Sequence, residues 1–246
     1  MKRPFIALLI LLLSIPLVAC SGQAGSVTSK DSSSGEDASS EGKSSGKETK
    51  VEVTQTALQA WDMYGTTEAH GAIEITNKGE VPVHLGDISI GFVGKDDSVI
   101  STATMLLPVP EVLHPGEKAY TGDTVYIDTE EKPEDIVKIE ANIDFDETDD
   151  TVQTLTVKDL KVAKDMDYAK VTGRIENTSK ADADDVRYSI ALMDKDNKLL
   201  GVFNSSLDVT LGVEKDAAFE ATYPELPVSI ADKVDHIEGY AYNWSF

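Results

Sequence analysis

From residue 51 onward the sequence predicts an all-β protein of two antiparallel β-sandwiches in tandem. Three observations carry that prediction. Apolar and polar residues alternate with period two in short runs broken by turn residues. No window keeps a helical period over a dozen residues. The pattern also returns after about 100 residues, the signature of a duplicated unit.

The strands are read in chain order. In the first half, Val51 to Leu58, Ala72 to Asn77 and Asp87 to Val93 each alternate as strands do. Leu155 to Val162, Val171 to Asn177 and Val186 to Leu192 repeat this in the second half. Laid together, Ile75-Thr76-Asn77 matches Ile175-Glu176-Asn177, a strand closing on Asn before a polar turn. Lys95-Asp96-Asp97 matches Lys195-Asp196-Asn197 as a hairpin turn, and Leu113 to Glu117 matches Leu211 to Glu214 as a turn feeding the next strand. Ile139 to Phe145 matches Ile237 to Asn243 as the closing strand. Six or seven short strands per half suit an immunoglobulin-like sandwich, although its Cys-Trp-Cys hallmark is absent. The halves are placed at 51–148 and 149–246. The acidic run between them (Asp144, Asp146, Glu147, Asp149, Asp150) reads as a solvated hinge holding the halves apart, or as a grip for a shared ion.

The second half carries Val171-Thr172-Gly173, Ile175-Glu176-Asn177 and Ser189-Ile190-Ala191-Leu192-Met193-Asp194. This resembles the FxLYD module of bacterial envelope proteins. Leu192 and Asp194 stand as in the motif, while Ile190 replaces its aromatic and Met193 its Tyr. The first half is similar to that module only through Ile90-Gly91-Phe92-Val93. Through Ile73 to Gly79 and His114 to Glu117 it resembles the immunoglobulin-like modules of Firmicute surface lipoproteins. These resemblances imply a small extracytoplasmic sandwich used for structure or binding, with no shared catalytic residues.

Ahead of the folded part, Met1-Lys2-Arg3 and the apolar run from Phe5 to Ala19 form a secretory signal, too short to span a bilayer as a helix. Leu17-Val18-Ala19-Cys20 resembles the lipobox of bacterial lipoproteins, which implies lipidation of Cys20, the single cysteine of the chain. An incidental cysteine after an ordinary signal, or an uncleaved N-terminal helix, are the alternatives. The segment 20–50 is rich in Ser and Gly and has almost nothing to bury, so it reads as a disordered tether. At about 30 residues such a coil spans roughly 30 Å on average. Together these place the protein on the extracytoplasmic face of a cell membrane, with a Gram-positive envelope favoured by the tether.

The formal charge of −22 excludes a nucleic-acid partner, which needs clustered Lys and Arg. It also leaves membrane attachment to the lipid on Cys20 rather than to surface charge. No catalytic motif is present: the four histidines lack metal-ligand spacing, and His114 before Pro115-Gly116 is a turn residue. The expectation is therefore a non-enzymatic binding or scaffold module with no cofactor and an envelope protein or cell-wall partner. The alternative is a cation- or solute-capturing lipoprotein using acidic turns, with Asp194 and Asp196 as weak metal candidates. Two apolar stretches lie in predicted loops of the first half only. Trp61, Met63 and Tyr64 are placed at the turn between the first two strands, and Leu106 and Leu107 in a Pro-broken run. These five are the candidate partner-binding residues.

Overall fold

The computed structural model describes residues 47–127 and 131–244. Cys20 and the residues up to 46 that the sequence reads as signal and tether lie outside them. The described chain is built of antiparallel strands, with two single 3₁₀ turns at Pro133–Asp135 and Val228–Asp232.

The first half contributes β1 (Val51–Met63), β2 (Thr66–Asn77), β3 (Val83–Gly94), β4 (Val99–Ala103), β5 (Val112–Leu113), β6 (Lys118–Ile127) and β7 (Ile136–Glu147). One sheet runs β1-β2-β6; the other sets β3 between β7 and β4, with β5 on one end of β3. Ile73 and Ile75 of β2 meet Ile88, Ile90 and Phe92 of β3 in the core between them. Gly71 lets the sheets approach, because a Cβ there would lie 2.9 Å from Ile90 Cγ2.

The second half repeats the plan with β8 (Gln153–Asp165), β9 (Tyr168–Glu176), β10 (Val186–Met193), β11 (Leu199–Leu207), β12 (Asp216–Ala221) and β13 (His236–Asn243). The sheet order is β11-β10-β13-β8-β9-β12. β8 changes partners along its length: Gln153 to Leu155 pair with β13, and Thr156 onward pair with β9. Val171, Ile175, Tyr188, Ile190, Leu192, Phe203 and Phe219 fill the second core.

The duplication extends to individual atoms. Asn77 Nδ2 donates to the carbonyls of Val81 and Leu113, and its Oδ1 accepts from Gly79 N–H. Asn177 does the same toward Ala181, Leu211 and Ser179 N–H. Both are fully buried, and each ties its strand end to the polar turn that follows it and to the segment ending at Leu113 or Leu211.

Two expectations need correction. Trp61 and Met63 belong to β1, which runs on to a two-residue turn at Tyr64 and Gly65, both at positive φ (53° and 90°). The primed turn matches the twist of the flanking strands, so the hairpin stays regular to its tip. The acidic run also does not hold the halves apart. Its carboxylates sit on β7 and the short linker, whereas the halves meet along β11 and the β1-β2-β6 sheet. A third apolar cluster lies between them, formed by Ala57, Ala72 and Tyr120 with Ala191, Met193, Leu199 and Val202.

Candidate functional site

The seam between the halves begins with an edge strand. β11 ends its sheet, so every second residue turns its N–H and C=O outward. Side chains of the first half meet three of those groups where a further strand would, and the second half's own Tyr223 carbonyl meets the fourth. Gln55 Oε1 accepts from Leu199 N–H at 2.9 Å, and Gln59 Nε2 donates to Leu200 C=O at 3.1 Å. Val202 N–H donates to His70 Nε2 at 3.2 Å, and Asn204 N–H donates to Tyr223 C=O at 3.0 Å. Asn204 Nδ2 returns a bond to Gly122 C=O at 2.6 Å.

Donor counting defines the state of His70. Its Nε2 accepts from Val202, so the ring proton sits on Nδ1, which donates to Thr124 Oγ1 at 3.0 Å. Thr124 in turn donates its hydroxyl hydrogen bond to Glu225 C=O at 2.6 Å. Every position is filled by a neutral ring. Complete burial lowers the His70 pKa to about 3.

Further along the same face of β2, Glu74 is held by four donors: Thr54 at 2.6 Å, Gln55 at 3.3 Å, Lys118 at 2.9 Å and Tyr120 at 2.8 Å. Burial works to raise its pKa, but these bonds outweigh it and hold the carboxyl below its ordinary value. The Tyr120 hydroxyl also lies 3.0 Å from Glu238 Oε2 of the second half. Burial and the Glu238 charge push Tyr240, which leans on the same carboxylate, up to about 12. At the other end of β2, Glu68 is 3% exposed and its Oε2 has no hydrogen-bond partner. Burial and then the Glu225 charge raise its pKa, against the Trp61 indole and Tyr168 hydroxyl, which lower it.

The five candidate residues fall into two grooves on this seam. Trp61, Met63 and Tyr64 line a shallow one of about 440 Å³ with Asp167, Pro227 and Val228. The exposed Tyr64 ring is tied down by its hydroxyl, which donates to Asp167 Oδ2 at 2.7 Å. Leu106 and Leu107 line a larger groove of about 520 Å³, and no lining residue is common to both. Leu106 is buried in the first core and forms the floor; Leu107 is 56% exposed. Met105 (82%) and Tyr223 (60%) join Leu107 on the rim, with Asp123, Arg187 and Asn204 between them.

Asp194 and Asp196 lie in the β10–β11 hairpin. Asp194 Oδ1 accepts from Asp196 N–H at 2.8 Å and Lys198 N–H at 2.9 Å, bonds that lower its pKa, while Asp196 pairs with Lys195. Asp194 Oδ1 is thus engaged by its own turn. Among the described residues no group of three or more His, Cys, Asp or Glu is arranged to hold a metal ion. Asp194→Ala should lower the melting temperature by the same modest amount with and without millimolar calcium; a calcium-dependent difference between variant and wild type would contradict this.

His70, Glu74, Gln55 and Gln59 were not among the residues singled out from the sequence. The available signal was the repeat: β9 carries Lys170 and Arg174 where β2 carries His70 and Glu74.

No family model and no curated protein matches this chain. Among solved structures it is similar to the C-terminal globular domain of an oligosaccharyltransferase from Pyrococcus abyssi, at 9% identity and a TM-score of 0.18. The match covers 79% of this chain and 47% of that one, and at that score it supports nothing further.

Proposed function

We propose that this is a lipid-anchored protein of the bacterial surface, held by an acyl-modified Cys20, whose folded part binds or scaffolds an envelope component without catalysing a reaction. The observation that supports binding is the larger seam groove. Met105, Leu107 and Tyr223 expose large apolar surfaces along one cleft of an otherwise acidic molecule. Grouped apolar exposure of this kind marks interaction sites. The Leu17-Val18-Ala19-Cys20 motif, the Ser- and Gly-rich tether and the FxLYD-like second half support the address, with a Gram-positive envelope as the favoured setting. The partner is an envelope protein or cell-wall polymer.

Two measurements test this. On detergent phase partition of cells expressing the full chain, the protein should enter the detergent phase and Cys20→Ser should move it to the aqueous phase. Equal partition of the two would remove the lipid anchor from the account. A soluble form beginning at Lys47 should capture a defined envelope component, and Leu107→Asp should lose it. Capture indifferent to Leu107→Asp would place binding elsewhere.

A further inference from the structure

The larger groove opens where the first half stops covering β11. The outward backbone positions of that strand are Leu200, Val202 and Asn204, each met by a group described above. The period-two alternation makes Ser206 the next, two residues along. Ser206 pairs inward with Arg187 of β10, is exposed, and lines the groove. No hydrogen bond joins its outward N–H or C=O to any described residue. Beside it, Asn204 Oδ1 is buried without a partner although Asn204 Nδ2 is bonded, an acceptor with no donor. The opposite wall is the irregular segment after β4, where Met105 stands at φ 59°. A bulky residue in that left-handed conformation is strained, and its side chain stands out to solvent.

The charges are uneven. Arg187 stacks over Trp244 at 3.4 Å and lies 3.7 Å from Asp185, so its charge is engaged. Asp123 Oδ1 accepts from the Tyr223 hydroxyl at 3.0 Å and from Thr124 N–H at 2.8 Å, and no cation of the described residues pairs with it.

The geometry points to an extended, basic peptide segment of a partner protein as the occupant of this groove. It adds to the free end of β11. One peptide N–H and C=O pair with Ser206, and a further N–H meets Asn204 Oδ1. Alternate apolar side chains pack on Met105, Leu107 and Tyr223, and a Lys or Arg lies over Asp123. Main-chain bonds would supply affinity and the flanking walls specificity, as in other strand-addition complexes. This rests on the binding reading proposed above and specifies its partner class.

The probe is a blocked hexapeptide alternating lysine and valine, titrated into the soluble chain and followed by amide NMR shifts. Saturable shifts should appear at Ser206 N–H and the Asn204 side-chain amide. Glutamate in place of lysine, N-methylation of alternate peptide nitrogens, or Ser206→Pro should each weaken binding by at least about tenfold. Ser206→Pro removes only an outward N–H, so its melting temperature should stay near wild type, which separates lost binding from lost folding. No saturable shift at Ser206, equal binding of the acidic peptide, or undiminished binding by Ser206→Pro overturns the inference. If an envelope component is still captured in those cases, the binding reading survives and this one falls. If nothing is captured, both fall.

Discussion

Replacing His70 by glutamine flattens the acid limb of the stability curve. In the native protein His70 bridges the halves as a neutral ring that accepts from Val202 and donates to Thr124. Its folded pKa is about 3 against 6.5 for an unburied histidine. The unfolded chain therefore binds the proton first, and stability falls as pH drops below about 6.5, until about 3. Between pH 7 and pH 5 this is a loss of about 2 kcal/mol, or roughly 4–8 °C in melting temperature for a folded part of this size. Glutamine can accept from Val202 and donate to Thr124 without titrating. His70→Gln should stay close to wild type at pH 7 and lose the drop. Glu68 works the other way, because its raised pKa adds stability as pH falls toward 4.5. The difference between wild type and variant isolates the histidine. Parallel curves for the two proteins would refute the assignment.

Asn77→Asp and Asn177→Asp should be the most damaging near-isosteric changes in the molecule. Each replaces an amide donating to two turn carbonyls by an oxygen facing them, and puts a charge on a fully buried side chain. Loss of both bonds and burial of an unpaired charge costs about 3–5 kcal/mol. Because the two sites share the same amide bonds and differ only in the Ser179 hydroxyl that also donates to Asn177 Oδ1, the drops should agree to within about 1 kcal/mol. Denaturant titration of the two variants measures this. A near-neutral result at either position would show that the turns it ties down are held by other means.

The fold was legible because its signals are local. Alternation, the Asp and Asn hairpin residues and the buried Asn at each strand end all act within a few positions, and the repeat states them twice. The seam was not legible, because one half's solvent face and the other's covered face both carry polar side chains. On β9 the outward residues pair their charges in water, as Lys170 does with Asp165 and Glu220, and Arg174 with Asp216. The matching positions of β2 hold His70, Ala72 and Glu74, buried and bonded across or beside the seam. Alternation alone treats both as solvent faces; only their disagreement between copies betrays the covering. Of the candidate residues, Leu107 was found because a large apolar side chain in a Pro-broken run is conspicuous. Met105, Tyr223, Asn204 and Ser206 come together only through the packing of the halves.

The seam makes the two sandwiches one body and so creates the groove between them. Scanning calorimetry of the soluble chain from Lys47 tests it most directly. A single transition is expected at pH 7, with calorimetric and van't Hoff enthalpies equal. Two separate transitions at that pH, with the His70→Gln chain melting identically, would contradict it.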